Sequence, residues 1–259
     1  MKKPRNQAQI LGVSLSGTSR PQVLARITDH LKNGTKFLIV TPNPEIIVHA
    51  QTNLKLRTIL NRADLSVPDG VGLILASKLL NQPKLTLIKG RELLIDLFKL
   101  ANDHHLKVFL LGSTESVINL SINRLIDTYP NIEVQGTSGP MLDKNSLPVS
   151  DKDTTLQFDT IKQINHFLPD ILILAFGTPK QEVWYDLNKD QLKVKVVAGL
   201  GGSLDYYSGI KFLPPKLINS LGLEWLWRGI HEKGHGRRIF RATIIFPFLV
   251  LKSIFVVKN

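Results

Sequence analysis

Short runs of consecutive apolar residues alternate along most of this chain with longer segments whose apolar positions recur every three or four residues. The first kind reads as strands buried on both faces, the second as amphipathic helices. Apolar or β-like runs fall at Ile10–Leu15, Lys36–Val40, Leu65–Val67, Val108–Leu111, Ile132–Gln135, Ile171–Ala175 and Val194–Ala198. Helical spacing predicts Arg20–Asn33, Pro44–Leu60, Val71–Leu80, Gly90–Asn102, Thr114–Tyr129 and Asp153–Phe167, with a further helix opening near Pro179. Asn33-Gly34 supplies a stop signal for the first of these. Ser138–Lys152, rich in Gly, Pro, Ser and Asp, reads as a loop. This alternation predicts an α/β fold, a Rossmann-like parallel sheet flanked by helices with right-handed crossovers.

After Lys211 the pattern changes. Pro214–Glu232 looks helical throughout and a basic tail follows, so a boundary is expected near Phe212. Residues 1–212 would form the α/β catalytic body, and residues 213–259 a helical, basic and apolar appendage.

At 259 residues and 43% hydrophobic content the chain can bury a sizeable core. It has no cysteine. Disulfides, thiolate metal sites and cysteine nucleophiles are thereby excluded. The N-terminus lacks the uninterrupted apolar core of a secretory signal, so a cytoplasmic protein is expected. Net charge is +12, and half of it lies in the last 44 residues, where eight Lys or Arg face two acids. Such a segment attracts an anionic surface. Ala242–Val257 is strongly apolar, with Pro247 and Lys252 as interruptions. It is shorter than the roughly 20 residues that span a bilayer. Basic residues leading into an apolar stretch suit a segment lying in the interface of an anionic membrane. The other reading is a C-terminal helix packed on the core with a solvated basic face. No nucleic-acid partner is expected, because the aromatics do not interleave with the charges.

The candidate chemistry gathers at strand ends. Thr41 and Asn43 follow the run ending at Val40, Asp69 follows Val67, Gln181 follows Ala175, and Asp205 follows Ala198 through a glycine-rich turn. In an open parallel sheet such ends converge on the ligand crevice. Phe176–Glu182 combines a glycine turn with Pro179 at a helix start, a place where free amides face an anion; it also reads as an ordinary strand–turn–helix junction. Asp69, between Pro68 and Gly70, is a candidate general base if partly desolvated, though Pro-Asp-Gly is also a common β-turn. Arg91 opens a helix and could hold a diphosphate bidentately, or lie on the surface. Gly199–Gly202 lacks the G-x-G-x-x-G spacing, and no Gly-Lys-Ser/Thr follows Gly112-Ser113-Thr114, so neither a dinucleotide fingerprint nor a P-loop is present. The seven histidines show no metal spacing and no HExxH or DxD pair occurs.

Taken in order, Thr41-Pro42-Asn43-Pro44-Glu45, Pro68-Asp69-Gly70-Val71-Gly72, Lys89-Gly90-Arg91 with Asp96, and Phe109–Gly112 resemble the WecG/TagA/CpsF glycosyltransferase family. So do Phe176-Gly177, Pro179, Gln181-Glu182 and Trp184, then Gly199–Gly202 with Asp205 and Gly209, and Gly222-Leu223-Glu224-Trp225 with Arg228. The resemblance covers nearly the whole chain. It implies an inverting, metal-independent transfer of an N-acetylhexosamine, in the best-known members N-acetylmannosamine, from a UDP-sugar. The implied acceptor is GlcNAc-diphospho-undecaprenol at the inner membrane face, and the product opens the linkage unit of wall teichoic acid, or belongs to an exopolysaccharide. No cofactor is implied beyond the UDP-sugar co-substrate. By the same resemblance Asp69 is the base, Thr41 and Asn43 line the sugar pocket, and Arg91 and Gln181 assist donor or diphosphate binding. Asp205 would contact the uridine end, and Arg228 and Arg238 would reach the active site from the appendage. Self-association is also implied. The chain departs from the family pattern at Glu232–Arg238, where Lys233 stands for a proline and His235 for an arginine, and at Phe212–Pro215. His235 would make that stretch pH-dependent. The competing class is a Rossmann-like nucleotide-binding oxidoreductase or module with a partner-docking tail, and the missing fingerprint argues against its dehydrogenase form.

Overall fold

The computed structural model describes residues 7–33, 36–213, 215 and 236–257. Six strands form one sheet: β3 (Phe37–Val40), β4 (Leu65–Ser66), β5 (Lys107–Gly112), β6 (Glu133–Thr137), β7 (Ile171–Ala175) and β8 (Val196–Gly199). Their order is β4-β3-β8-β7-β5-β6, and every neighbouring pair is parallel. The carboxyl ends of β4, β3, β8 and β7 therefore lie side by side. This is the α/β architecture that the apolar runs predict.

Alternation of side chains across the pleat splits the core into two layers. Ile39, Val108, Leu110, Ile171, Ile173, Val196 and Ala198 face α1 (Arg20–Asn33), α5 (Gly90–Asp103) and α6 (Glu115–Thr128), burying Ile27, Leu94, Leu97, Phe98 and Ile118. Phe109, Leu111, Leu172, Leu174 and Val197 face the other way, onto α7 (Asp151–Phe167) and α8 (Lys180–Asn188). There Trp184 is fully buried, and its indole N–H donates to Gln157 Oε1 at 3.1 Å, joining the two helices. On the first layer the buried Asp96 of α5 accepts from Arg20 Nη2 at 2.7 Å, which pins α1 beside α5.

Several boundaries differ from the sequence expectation. Ile10–Leu15 is not one strand but the turn region of a separate antiparallel hairpin, β1 (Gln7–Ile10) and β2 (Val13–Ser16). Leu11 and Gly12 both carry positive φ, 49° and 79°. That is the two-residue hairpin geometry whose twist matches the strands. Pro44–Leu60 is two helices, α2 (Pro44–Thr52) and α3 (Leu54–Arg62). Asn53 ends one by bonding His49 O and starts the other by capping Leu56 N–H with its side chain. Helix α7 starts two residues earlier than expected because the Ser150 hydroxyl caps it through Asp153 N–H.

A third apolar cluster joins the hairpin, α2, α3 and α4 (Val71–Leu79) to the C-terminal segment. That segment is a helix from Gly236 to Val257: α10 (Gly236–Phe240), a π turn (Arg241–Ile245) and α11 (Phe246–Val257). Pro247 does not interrupt it. The Phe246 N–H bonds Arg241 O, five residues back, and this local widening precedes the proline that lacks a donor. Phe246 and Val250 are buried against Ile46, Ile47, Ala50, Leu73 and Ala76. Phe240, Ile244, Phe248, Leu251 and Phe255 are exposed at successive three- or four-residue steps, a second apolar face. The packed-helix reading of the tail is thus correct for one face only. Among the described residues no helix is long and apolar enough to cross a membrane.

Candidate active site

Gly90 marks the centre of the strand-end cluster. A Cβ built there would lie 3.1 Å from Ser203 Oγ, 3.2 Å from Asp69 Oδ2 and 3.7 Å from Thr41 Oγ1. Three loops, following β3, β4 and β8, therefore bring polar oxygens to one point, and the missing side chain is what leaves them room. The loops are tied together through the backbone. Asp69 N–H donates to Pro42 O at 2.8 Å, Val67 N–H to Val40 O at 2.8 Å, and Ile88 N–H to Pro68 O at 3.1 Å. Thr41, nearly buried, donates from Oγ1 to Gly199 O at 3.0 Å and so fastens the β3 loop to the end of β8. Gly70 follows Asp69 with φ of 150°, and a Cβ would meet Pro44 Cδ at 2.9 Å. Position 70 therefore requires glycine, both for its backbone and for the contact.

Asn43 has a structural duty at this rim: its Oδ1 caps α2 by accepting from Ile46 N–H at 3.0 Å. Gln181 is buried and forms a strut rather than a surface donor. Its Oε1 accepts from Gly201 N–H at 3.1 Å, and its Nε2 donates to Glu182 Oε1 at 2.9 Å. The same Glu182 oxygen accepts from Thr178 Oγ1 at 2.9 Å. The strut thus holds the turn before α8 against the glycine loop after β8. Glu182 is fully buried, and its Oε2 has no hydrogen-bond partner among the described residues. Burial pushes its carboxyl above the usual range, against the opposing effect of the Gln181 and Thr178 bonds, so the acid is held toward its neutral form.

Asp205 lies in α9 (Ser203–Tyr207), two residues beyond Ser203. Its Oδ1 accepts from Ser113 Oγ at 2.8 Å, and its Oδ2 pairs with Lys211 Nζ at 2.9 Å. Arg91 is half-buried in the first turn of α5, next to Gly90. Of the helices that begin at this rim, α4, α5, α8 and the short α9 have no side-chain cap on their first amides, whereas α2 is capped by Asn43. Uncapped helix N-termini are suited to an anion such as a diphosphate.

Arg238 reaches the same side of the body. Its Nε pairs with Glu45 Oε2 at 2.8 Å, in the first turn of α2 and two residues from Asn43. Arg241 Nη1 lies 3.1 Å from His49 Nε2 and 3.9 Å from Glu45 Oε1. Burial alone would raise the Glu45 carboxyl, but His49 and Arg238 outweigh it and hold the group below its usual range. Arg228, with Gly222–Trp225 and the departures at 232–235, lies outside the described residues. Of the expected site residues, the structure brings Thr41 and Asp69 together around Gly90, sets Arg91 next to Gly90, and binds Gln181 to the glycine loop that leads to Ser203 and Asp205. The sequence patterns assigned no role to Ser203 or Lys211, and named Ser113 and Glu45 only within motifs, without a role. Ser203 directly follows the glycine cluster and Ser113 directly follows Gly112, so adjacency to a glycine turn is the signal that was available. Among the described residues no group of three or more His, Asp or Glu is placed to hold a metal ion.

A model of the glycosyl transferase WecG/TagA/CpsF family matches residues 8–259. A curated protein of Staphylococcus aureus strain MW2 is 33% identical over 250 residues, covering 95% of this chain and 93% of the relative. It is named N-acetylglucosaminyldiphosphoundecaprenol N-acetyl-beta-D-mannosaminyltransferase. The protein of the same name from strain NCTC 8325 / PS 47 matches with the same identity and coverage.

Proposed function

The chain belongs to the WecG/TagA/CpsF glycosyl transferase family, and from that premise we propose that it transfers N-acetylmannosamine from a UDP-sugar to GlcNAc-diphospho-undecaprenol. The product would serve as the linkage unit of wall teichoic acid. The observation that carries the reading is the meeting of the Asp69 carboxylate, Thr41 and Ser203 at the gap left by Gly90. Asp69 takes the proton from the acceptor hydroxyl as that oxygen attacks the anomeric carbon. The bond from that carbon to the UDP oxygen breaks on the opposite face, and configuration inverts. Arg91 and the uncapped N-termini of α5 and α8 stabilise the charge that develops on the departing diphosphate, with no metal required. Arg228 and Arg238 add positive charge from the appendage. Thr41 and Asn43 bound the sugar pocket, Gln181 fixes the glycine loop beneath the donor, and Asp205 with Ser113 faces the uridine end.

The protein works at the cytoplasmic face of the membrane as a peripheral enzyme. Support comes from the exposed apolar stripe of the tail and from its cations. The test is incubation with a panel of UDP-sugars and a short-chain GlcNAc-diphospho-lipid, in the presence of EDTA, followed by mass spectrometry. One N-acetylhexosamine should be added to the acceptor, from UDP-N-acetylmannosamine in preference to the others. Absence of product with every donor, together with thermal stabilisation by NAD and none by UDP, overturns the proposal.

A further inference from the structure

Helix α4 carries an apolar stripe that the packed core leaves uncovered. Val71, Leu75 and Leu79 follow one another at four-residue steps and are 44%, 61% and 52% exposed. The adjoining face of the same helix is packed: a Cβ on Gly72 would lie 3.7 Å from Phe246 of α11, and Ala76 is buried in the cluster that takes in Phe246 and Val250. Exposed aliphatics of α4 thus flank the seam where the tail docks, and the tail carries its own exposed stripe. Helix α4 is also the element that directly follows the base, since Gly70 is its N-cap. Charge agrees with one kind of partner. Residues 70–91 hold Lys78, Lys84, Lys89 and Arg91 and no acid, and residues 236–257 hold three arginines, Lys252 and no acid.

We propose that α4 of the catalytic body, and not the tail alone, lies against an anionic lipid bilayer, so that the site at Asp69 opens at headgroup level. An apolar helix face of about 12 Å, three exposed positions spanning eight steps of 1.5 Å, is suited to resting in the interface plane. The surrounding cations draw it to anionic headgroups. A sugar acceptor anchored by a lipid diphosphate then meets the base without leaving the membrane. This inference rests on the lipid-linked transfer proposed above.

The experiment uses the full chain with Leu75→Gln and Leu79→Gln combined, both at exposed positions. Co-sedimentation with vesicles of phosphatidylglycerol and phosphatidylethanolamine is measured beside transfer to two acceptors, a water-soluble short-chain one and the full-length lipid in vesicles. Vesicle affinity should fall about tenfold, transfer to the vesicle acceptor should fall in parallel, and transfer to the soluble acceptor should stay at the wild-type rate. Equal rates with both acceptors and unchanged co-sedimentation overturn the α4 inference while leaving the transferase reading intact. Failure of the wild-type protein on the soluble acceptor defeats the transferase reading instead. Light scattering that shows wild type as a dimer and the variant as a monomer identifies a second copy as the occupant and likewise overturns the inference. So does a clear fall in thermal stability, which would mean the stripe is covered within the chain.

Discussion

The strand-end rim and the C-terminal helix both concentrate charge, yet they are held in opposite ways. The rim is assembled from loops after β3, β4, β7 and β8 and from the start of α5. Each loop is fastened to another by backbone bonds or by the buried Gln181–Glu182 strut. Among the described residues the tail is one helix, Gly236–Val257, held at an apolar seam and at an ion cluster around Glu45. On the proposed function, chemistry that depends on tenths of an ångström would be set in the cross-tied region, and contact with a membrane-bound acceptor would fall to the tail. Each can be broken separately, and the expected effects differ in kind as well as in size.

The largest effect is expected at Asp69, the proposed base. Asp69→Asn should lower kcat by about 10²–10⁴-fold and leave UDP binding by thermal shift unchanged. Wild-type turnover in that variant shows the base to lie elsewhere. Next comes Gly90→Ala. The added methyl meets Ser203 Oγ at 3.1 Å and Asp69 Oδ2 at 3.2 Å, both side-chain atoms that can retreat by a few tenths of an ångström. The fold should survive, with turnover down on the order of 10- to 100-fold because small misplacements of reacting groups are costly. A variant as active as wild type denies that Gly90 is the centre of the site.

Much of this contrast can be read from the chain. The buried parallel strands show as apolar runs because both faces are covered, and Asp69 and Thr41 stand out as polar residues just beyond such runs. The hairpin does not show, because its turn falls on Leu11, an apolar residue in a left-handed conformation. The break between α2 and α3 is hidden because apolar spacing continues across Asn53. The Glu45–Arg238 pair links residues 193 positions apart, and no local pattern encodes that. Glu182 looks like an ordinary first-turn acid suited to the helix dipole; only the fold reveals that it is sealed from water.

On the tail, Phe246→Ala should weaken docking by about 3 kcal/mol, as for truncating a buried aromatic. Limited proteolysis should then cut within residues 236–257 while the body stays resistant, and transfer to a vesicle-borne acceptor should fall more than donor binding. Equal protection of tail and body would mean the seam at Phe246 does not hold the helix. In the rim, Glu182→Gln should act chiefly through pH. A carboxyl whose folded pKa is raised contributes stability that is complete below its ordinary value of 4.5 and declines as pH rises toward the folded value. Glutamine has no such titration. The wild-type advantage over the variant should therefore shrink as pH rises above 4.5, read from denaturant midpoints. A constant difference over that range means Glu182 is ionised in the folded protein.

The smallest effect belongs to the ion cluster, and it fixes which force docks the tail. Burying Phe246 and Val250 is worth about 1.5–3 kcal/mol for each side chain. The Arg238 side chain is 48% exposed, so its pair with Glu45 is discounted for screening to about 0.5–1 kcal/mol. Glu45→Gln should accordingly leave the tail docked and raise its proteolytic cleavage rate only about two- to fivefold. Because the folded carboxyl is held below its ordinary value of 4.5, the contribution is present above that pH and is lost as pH falls through the depressed value. Wild type and variant should therefore differ at neutral pH and converge under acid, and added salt should narrow the gap at neutrality. A gap that widens in acid, or one larger than that caused by Phe246→Ala, would mean charge rather than apolar contact fastens the helix, and the contrast between the two regions would have to be redrawn.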